Sequence, residues 1–124
     1  MAKILIVDDE PHIRTLIEQA LESLEDDGVE FFSADNGEAA LKLIKEEKPG
    51  LVFLDVMMPK MNGFDVCSAV RNDLKMNDVY IVMLTAKGQE FDKEKGLGSG
   101  ANEYITKPFS PRELKKKAMD VLGL

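Results

Sequence analysis

The chain alternates short, wholly apolar runs with longer amphipathic ones, and this alternation limits the folds open to it more than any other feature. Ile4–Val7 and Leu51–Leu54 carry no polar residue, and Val79–Leu84 carries only the hydroxyl of Tyr80. A strand with one wet face would alternate apolar with polar residues. Runs without that alternation need cover on both faces, as strands of a parallel sheet have. Val29–Ser33 reads as a further strand near the start of the chain, and Glu103–Thr106 as a short one near its end.

The segments between the strands have helical spacing. Pro11 is at home in a first helical turn, and Ile13, Leu16, Ile17, Ala20, Leu21 and Leu24 then recur every three or four residues until Gly28. Asp35–Gly37 reads as a turn; Ala40, Leu41, Leu43 and Ile44 form the inner face of a second helix closed by Pro49. A third helix is expected over Phe64–Leu74, with Phe64, Val66, Cys67 and Val70 inward. A fourth, over Gln89–Leu97, is weakened by Gly96 and Gly98. A fifth runs over Pro111–Leu122 with Leu114, Ala118, Val121 and Leu122 apolar. Five β-α units in series predict an α/β fold: one parallel sheet covered by helices on both faces.

A length of 124 residues suits one domain over 1–124, and 44% apolar residues can build its core. The net charge of -7 makes DNA or an anionic membrane a poor partner by charge alone. One cysteine, Cys67, allows no internal disulfide and fits a reducing compartment. Two aspartates follow the first apolar run at once, so the start is no signal peptide, and no apolar run is long enough to span a membrane. The expectation is a soluble, cytoplasmic protein.

In open parallel sheets, sites form beyond the carboxyl ends of the strands. Asp8 and Asp9 follow the first strand, Asp55 the third, Thr85 the fourth and Lys107 the fifth. Three carboxylates in one place repel each other unless a positive charge joins them. Oxygen donors favour a hard cation, of which Mg2+ fits best because it accepts few carboxylates and keeps its waters. With an ammonium and a hydroxyl added, such a site suits a phosphoryl group, with Asp55 as the nucleophile.

The stretches "ILIVDDE", "LVFLDVMMPKMNG", "VMLTAKG" and "GANEYITKPF", in this order and at this spacing, resemble the receiver domain of two-component response regulators over essentially the whole chain. The resemblance implies a flavodoxin-like, doubly wound sheet of five strands in the order 2-1-3-4-5 with five helices. It implies that Asp55 takes phosphate from a sensor histidine kinase or a phosphotransfer protein. Asp9 and Asp55 would bind Mg2+ by side chain, Asp8 mainly through water, and Met57 by its main-chain carbonyl. Thr85 and Lys107 would hold the phosphoryl oxygens, and the Lys107–Pro108 bond would be cis. Thr85 and Tyr104 would form the switch that remodels the face of the fourth helix, fifth strand and fifth helix. Met57 and Lys87 occupy the two places where the family tunes the lifetime of the phosphoryl group.

Asn62 stands where an aspartate is frequent, Asn102-Glu103 replaces a frequent aspartate pair, and Lys117 stands where DNA-binding regulators often carry an arginine. The resulting expectation is a stand-alone, chemotaxis-regulator-like receiver, monomeric or weakly dimeric, docking on a downstream target protein and not on nucleic acid. The alternative is the excised N-terminal receiver of a longer regulator with a DNA-binding or other output domain. As an enzyme it would act only on itself, in its own phosphorylation and dephosphorylation. A phosphatase would need a second acid at the place of Met57, and a nucleotide or flavin binder a Gly-rich loop where "DDEPHI" stands. His12 reads as a solvated first-turn residue, Cys67 as core filler, Met58 as loop packing and Lys115–Lys117 as a solvated run.

Overall fold

The computed structural model describes residues 2–86, with Ala86 by its main chain alone, and residues 100–124. Five parallel strands, β1 (Lys3–Val7), β2 (Glu30–Ala34), β3 (Leu51–Asp55), β4 (Tyr80–Ala86) and β5 (Glu103–Lys107), form one sheet in the order β2-β1-β3-β4-β5. This is the order that the resemblance implies. Four α-helices lie among the described residues: α1 (Pro11–Leu21), α2 (Gly37–Glu47), α3 (Gly63–Ser68) and α4 (Pro111–Leu122). The helix expected over Gln89–Leu97 lies outside the described residues, so four of the expected five helices are accounted for.

The apolar runs feed two cores by alternation. Leu5, Val7, Val52, Leu54, Ile81 and Met83 pack on one face with Ala40 and Ile44 of α2 and with Phe64, Val66 and Cys67 of α3. Ile4, Ile6, Leu51, Phe53, Val82 and Leu84 pack on the other with Ile17 and Leu21 of α1 and with Leu114 and Ala118 of α4. Every residue of β3 is buried, which is why its sequence shows no polar alternation.

Several boundaries differ from expectation, each for a local reason. Strand pairing outlasts the apolar runs: Asp55 pairs with Leu84, Thr85 with Thr106 and Ala86 with Lys107. Asp55, Thr85 and Lys107 are therefore strand residues, not the first residues after strands. β2 is displaced by one residue, because the Val29 N–H is spent on the Leu24 carbonyl. The first helix tightens into a 3-10 turn over Glu22–Asp27 and stops at Gly28, whose φ of 86° lies in the left-handed region. Gly37 belongs to α2, capped by Asn36 Oδ1, which accepts from the Ala39 N–H at 2.8 Å.

The third helix also departs from a single span. After Ser68 it widens into a π-helix over Ala69–Asp73, where the Leu74 N–H reaches back to the Ala69 carbonyl. Arg71 lies in this turn and donates to the carbonyls of Met76, Val79 and Gly100 and to Asn102 Oδ1. Asn102 Oδ1 also accepts from the Ile81 N–H, so this cluster ties the entrances of β4 and β5 together.

Candidate functional site

The sheet register assembles the site. Val7 pairs with Leu54, so the next residues, Asp8 and Asp55, emerge side by side. Leu84 pairs with both Asp55 and Ile105, so Lys107 lies two residues farther along β5 and must reach back. It does so: its Nζ stands 3.1 Å from Asp8 Oδ2 and 3.2 Å from Asp55 Oδ1. Alternation places Asp55 on the face of Phe53, Asp8 on that of Ile6 and Lys107 on that of Ile105, all on the α1–α4 side. Thr85 follows Met83 onto the opposite face, where Tyr104 packs half-buried against the α2–α3 core. The pairs Met83–Tyr104 and Thr85–Thr106 make Thr85 and Tyr104 diagonal neighbours on adjacent strands.

Asp8 is 0% exposed; its Oδ1 accepts from the Glu10 N–H at 2.9 Å, and its own carbonyl accepts from Arg14 Nη1 at 2.6 Å. Asp55 is 4% exposed, and its Oδ1 also accepts from the Met57 N–H at 3.3 Å. Asp9 is exposed, and one oxygen from each of Asp8, Asp9 and Asp55 lies within 4.8 Å of the others. Three carboxylates without nitrogen or sulfur suit a hard divalent cation better than zinc. Thr85 is 0% exposed, and its Oγ1 has no hydrogen-bond partner among the described residues. A buried hydroxyl in that condition carries a desolvation cost, which an acceptor brought to the site would offset.

Burial pushes the Asp55 carboxyl up to about 6, and the Asp8 charge adds to the rise, against the lowering pull of Lys107. Burial alone would lower Lys107, but the nearby Asp55 and Asp8 outweigh it and hold the ammonium above its ordinary value. At neutral pH the site thus combines an ionised but poorly solvated carboxylate with a firmly protonated amine.

The loop after β3 explains the glycine of "MPKMNG". The Gly63 N–H donates to the Val56 carbonyl at 2.9 Å. A Cβ at Gly63 would meet the Asp55 carbonyl oxygen at 2.7 Å and Val56 Cα at 3.0 Å, so only glycine lets α3 start this close to the end of β3. Asn62 is the N-cap of α3. Its side chain accepts from the Asp65 N–H while Asp65 accepts from the Asn62 N–H, a reciprocal cap for α3.

The structure brings together Asp8, Asp9, Asp55 and Lys107 and ties the Met57 main chain to Asp55. The Lys107–Pro108 peptide bond is cis. Lys87 lies outside the described residues. Arg14 and Arg71 were missed by sequence reasoning; neither bond pattern has a local signal, whereas the spacing of Asn62 and Asp65 is that of a capping box. No helix among the described residues is long and apolar enough to cross a membrane.

A profile of the response regulator receiver domain family matches residues 4–119. The alkaline phosphatase synthesis transcriptional regulatory protein PhoP of Bacillus subtilis is 48% identical over 97% of this chain and 48% of its own. The protein named "Probable transcriptional regulator ycf27" in Porphyra purpurea is 48% identical over 97% of this chain and 47% of its own. The chain thus spans about half the length of the curated relatives it matches. Among solved structures, the chemotaxis response regulator CheY4 of Vibrio cholerae superposes with a TM-score of 0.84 at 35% identity, covering 98% of each chain.

Proposed function

The chain belongs to the response regulator receiver domain family, and from that premise we propose that it is a signalling switch worked by phosphorylation of Asp55. The observation that carries the reading is the convergence of Asp8, Asp9, Asp55 and Lys107 at the carboxyl ends of the strands. Thr85, whose buried hydroxyl has no hydrogen-bond partner among the described residues, lies one residue beyond the partner of Asp55 on the neighbouring strand. Among the described residues, both hydrogen bonds to the Asp55 side chain fall on Oδ1, which points to Oδ2 as the attacking oxygen. The new O–P bond forms as the phosphorus bond to the donor, a phosphohistidine or a small acyl phosphate, breaks. Lys107 follows the charge from the carboxylate to the phosphoryl oxygens, and Thr85 Oγ1 donates to another of them.

Asp9 and Asp55, with the Met57 carbonyl, would hold Mg2+, and Asp8 would act mainly through water. Bound there, the ion supplies positive charge to the transferring group. Movement of Thr85 toward the phosphate opens space on its own face of the sheet, the face on which Tyr104 packs. That juxtaposition supports Tyr104 as the readout. The protein catalyses only its own phosphorylation and dephosphorylation, in the cytoplasm, with a sensor histidine kinase or phosphotransfer protein as donor. The test is intact mass after incubation with Mg2+ and acetyl phosphate. One added phosphoryl mass is expected, absent in Asp55→Asn; labelling of that variant at the wild-type rate would sink the assignment.

Two readings of the output remain. A stand-alone receiver docking on a target protein agrees with the Lys117 and Asn102-Glu103 departures. The length comparison favours the alternative, since PhoP and its like are transcriptional regulators about twice as long as the matched region. Sedimentation separates the two: a tight, phosphorylation-dependent dimer through the last helix supports the longer regulator, and a persistent monomer the stand-alone form.

A further inference from the structure

Two residues past the phosphoacceptor stands an unusually accessible sulfur. Met57 is 59% exposed, whereas Met58 is 7% exposed and Met83 and Cys67 are 0% exposed. Met61, Met76 and Met119 are half-buried, so Met57 is the one exposed methionine among the described residues. Its main-chain N–H is bonded to Asp55 Oδ1, which roots the thioether chain at the rim of a carboxylate that is itself almost wholly enclosed.

We propose that Met57 is a reversible oxidation site for peroxides, and that its sulfoxide shortens the life of the phosphoryl group on Asp55. The second half rests on the phosphoacceptor reading given above. In the oxidation, a sulfur lone pair attacks one peroxide oxygen. The S–O bond forms, the O–O bond breaks, and the departing hydroxide takes the proton from the sulfur-bound oxygen, leaving the sulfoxide and water. Sulfur loses two electrons and the peroxide gains them. The product differs from the thioether in the property that matters here. A thioether is a weak acceptor that holds no water firmly, whereas a sulfoxide oxygen is a strong acceptor that can hold a water beside it. Oxidation thereby puts a polar group at a place the gene fills with an apolar one, and sulfoxide reductases restore the original.

The experiment has two arms on the whole chain. In the first, hydrogen peroxide is added in small excess and each methionine is followed by peptide mass mapping. Met57 is expected to oxidise at least about fivefold faster than Met58 or Met83, in line with the dependence of such oxidation on exposure. Equal rates would overturn the site. In the second, the oxidised and untreated proteins are loaded with acetyl phosphate and Mg2+, the donor is removed, and loss of phosphoryl mass is timed. Decay is expected to be roughly threefold faster after oxidation, a modest change in barrier, and to return to its original rate after treatment with methionine sulfoxide reductases. In Met57→Leu, which offers no thioether at this place, peroxide is expected to leave the decay unchanged. The same acceleration in that variant would assign the effect to another sulfur and overturn the proposal. If neither form of the wild type takes up phosphate, the phosphoacceptor reading falls and the lifetime effect with it, while the peptide map still decides the oxidation site.

Discussion

Replacing Asp55 by asparagine should make the metal-free protein more stable at neutral pH, although it removes half of an ion-paired contact. The Asp55 carboxyl titrates at about 6 when folded, against an ordinary 3.8. Below 3.8 both folded and unfolded chains carry the proton, and the group costs nothing. Between 3.8 and about 6 the folded chain holds a proton that the unfolded chain has released, so stability falls as pH rises. Above 6 the whole cost is present. At about 1.4 kcal/mol per pH unit, the interval from 3.8 to about 6 corresponds to about 3 kcal/mol as an upper figure. An asparagine keeps an oxygen for Lys107 and the Met57 N–H, and Lys107 keeps Asp8, so little else is lost. The expected gain at about pH 7.5 in EDTA is therefore roughly 1–3 kcal/mol, shrinking toward zero near pH 4. Urea unfolding of both proteins at each pH measures it, since the difference between them cancels the other titrating groups. With Mg2+ the wild type should recover stability and the variant should not. A variant no more stable than wild type at neutral pH, or a gap that persists in acid, would refute the claim that burial and Asp8 strain this carboxylate.

Three further outcomes are expected. Asp9→Ala should weaken Mg2+ binding, read by titration calorimetry, more than Asp8→Ala, because Asp8 already spends one oxygen on the Glu10 N–H and the other on Lys107. Gly63→Ala should destabilise the fold by about 1–3 kcal/mol in urea, the cost of overpacking against the end of β3. Met57→Asn with Lys87→Glu should shorten the phosphoryl lifetime about tenfold, or ~1.4 kcal/mol in the barrier; decay no faster than wild type after donor removal would exclude those side chains from setting it.

The rim chemistry was legible in the sequence because parallel pairing preserves order. A polar residue ending one apolar run comes near those ending its neighbours, and Asp8, Asp55 and Lys107 obey this. Only the register and the two cores showed that Thr85 and Tyr104 share a face apart from Lys107. What could not be read depends on distant partners. The π turn at Ala69–Asp73 is accompanied by bonds from Arg71 to Gly100 and Asn102, some thirty residues away. No local pattern announces them. The cap at Asn62 is the opposite case: its spacing to Asp65 was legible in the sequence, and asparagine caps there as well as the frequent aspartate would.

The stagger of Lys107 also limits how a signal can travel through this sheet. Sliding β5 by one residue, about 3.3 Å, would turn each of its side chains to the other face. Lys107 would leave Asp8 and Asp55, Ile105 would quit the α1–α4 core, and the tyrosine ring would be driven into the space it vacated. At the other end of the strand, Arg71 holds Gly100 and Asn102 and so anchors the point where the chain enters β5. Translation of the strand is thus closed off at both ends, and torsion of individual side chains is the inexpensive motion left. Under the phosphorylation proposed for Asp55, a change passing through β5 would be carried by side-chain rotation, and a partner reading this strand would recognise altered side-chain relief.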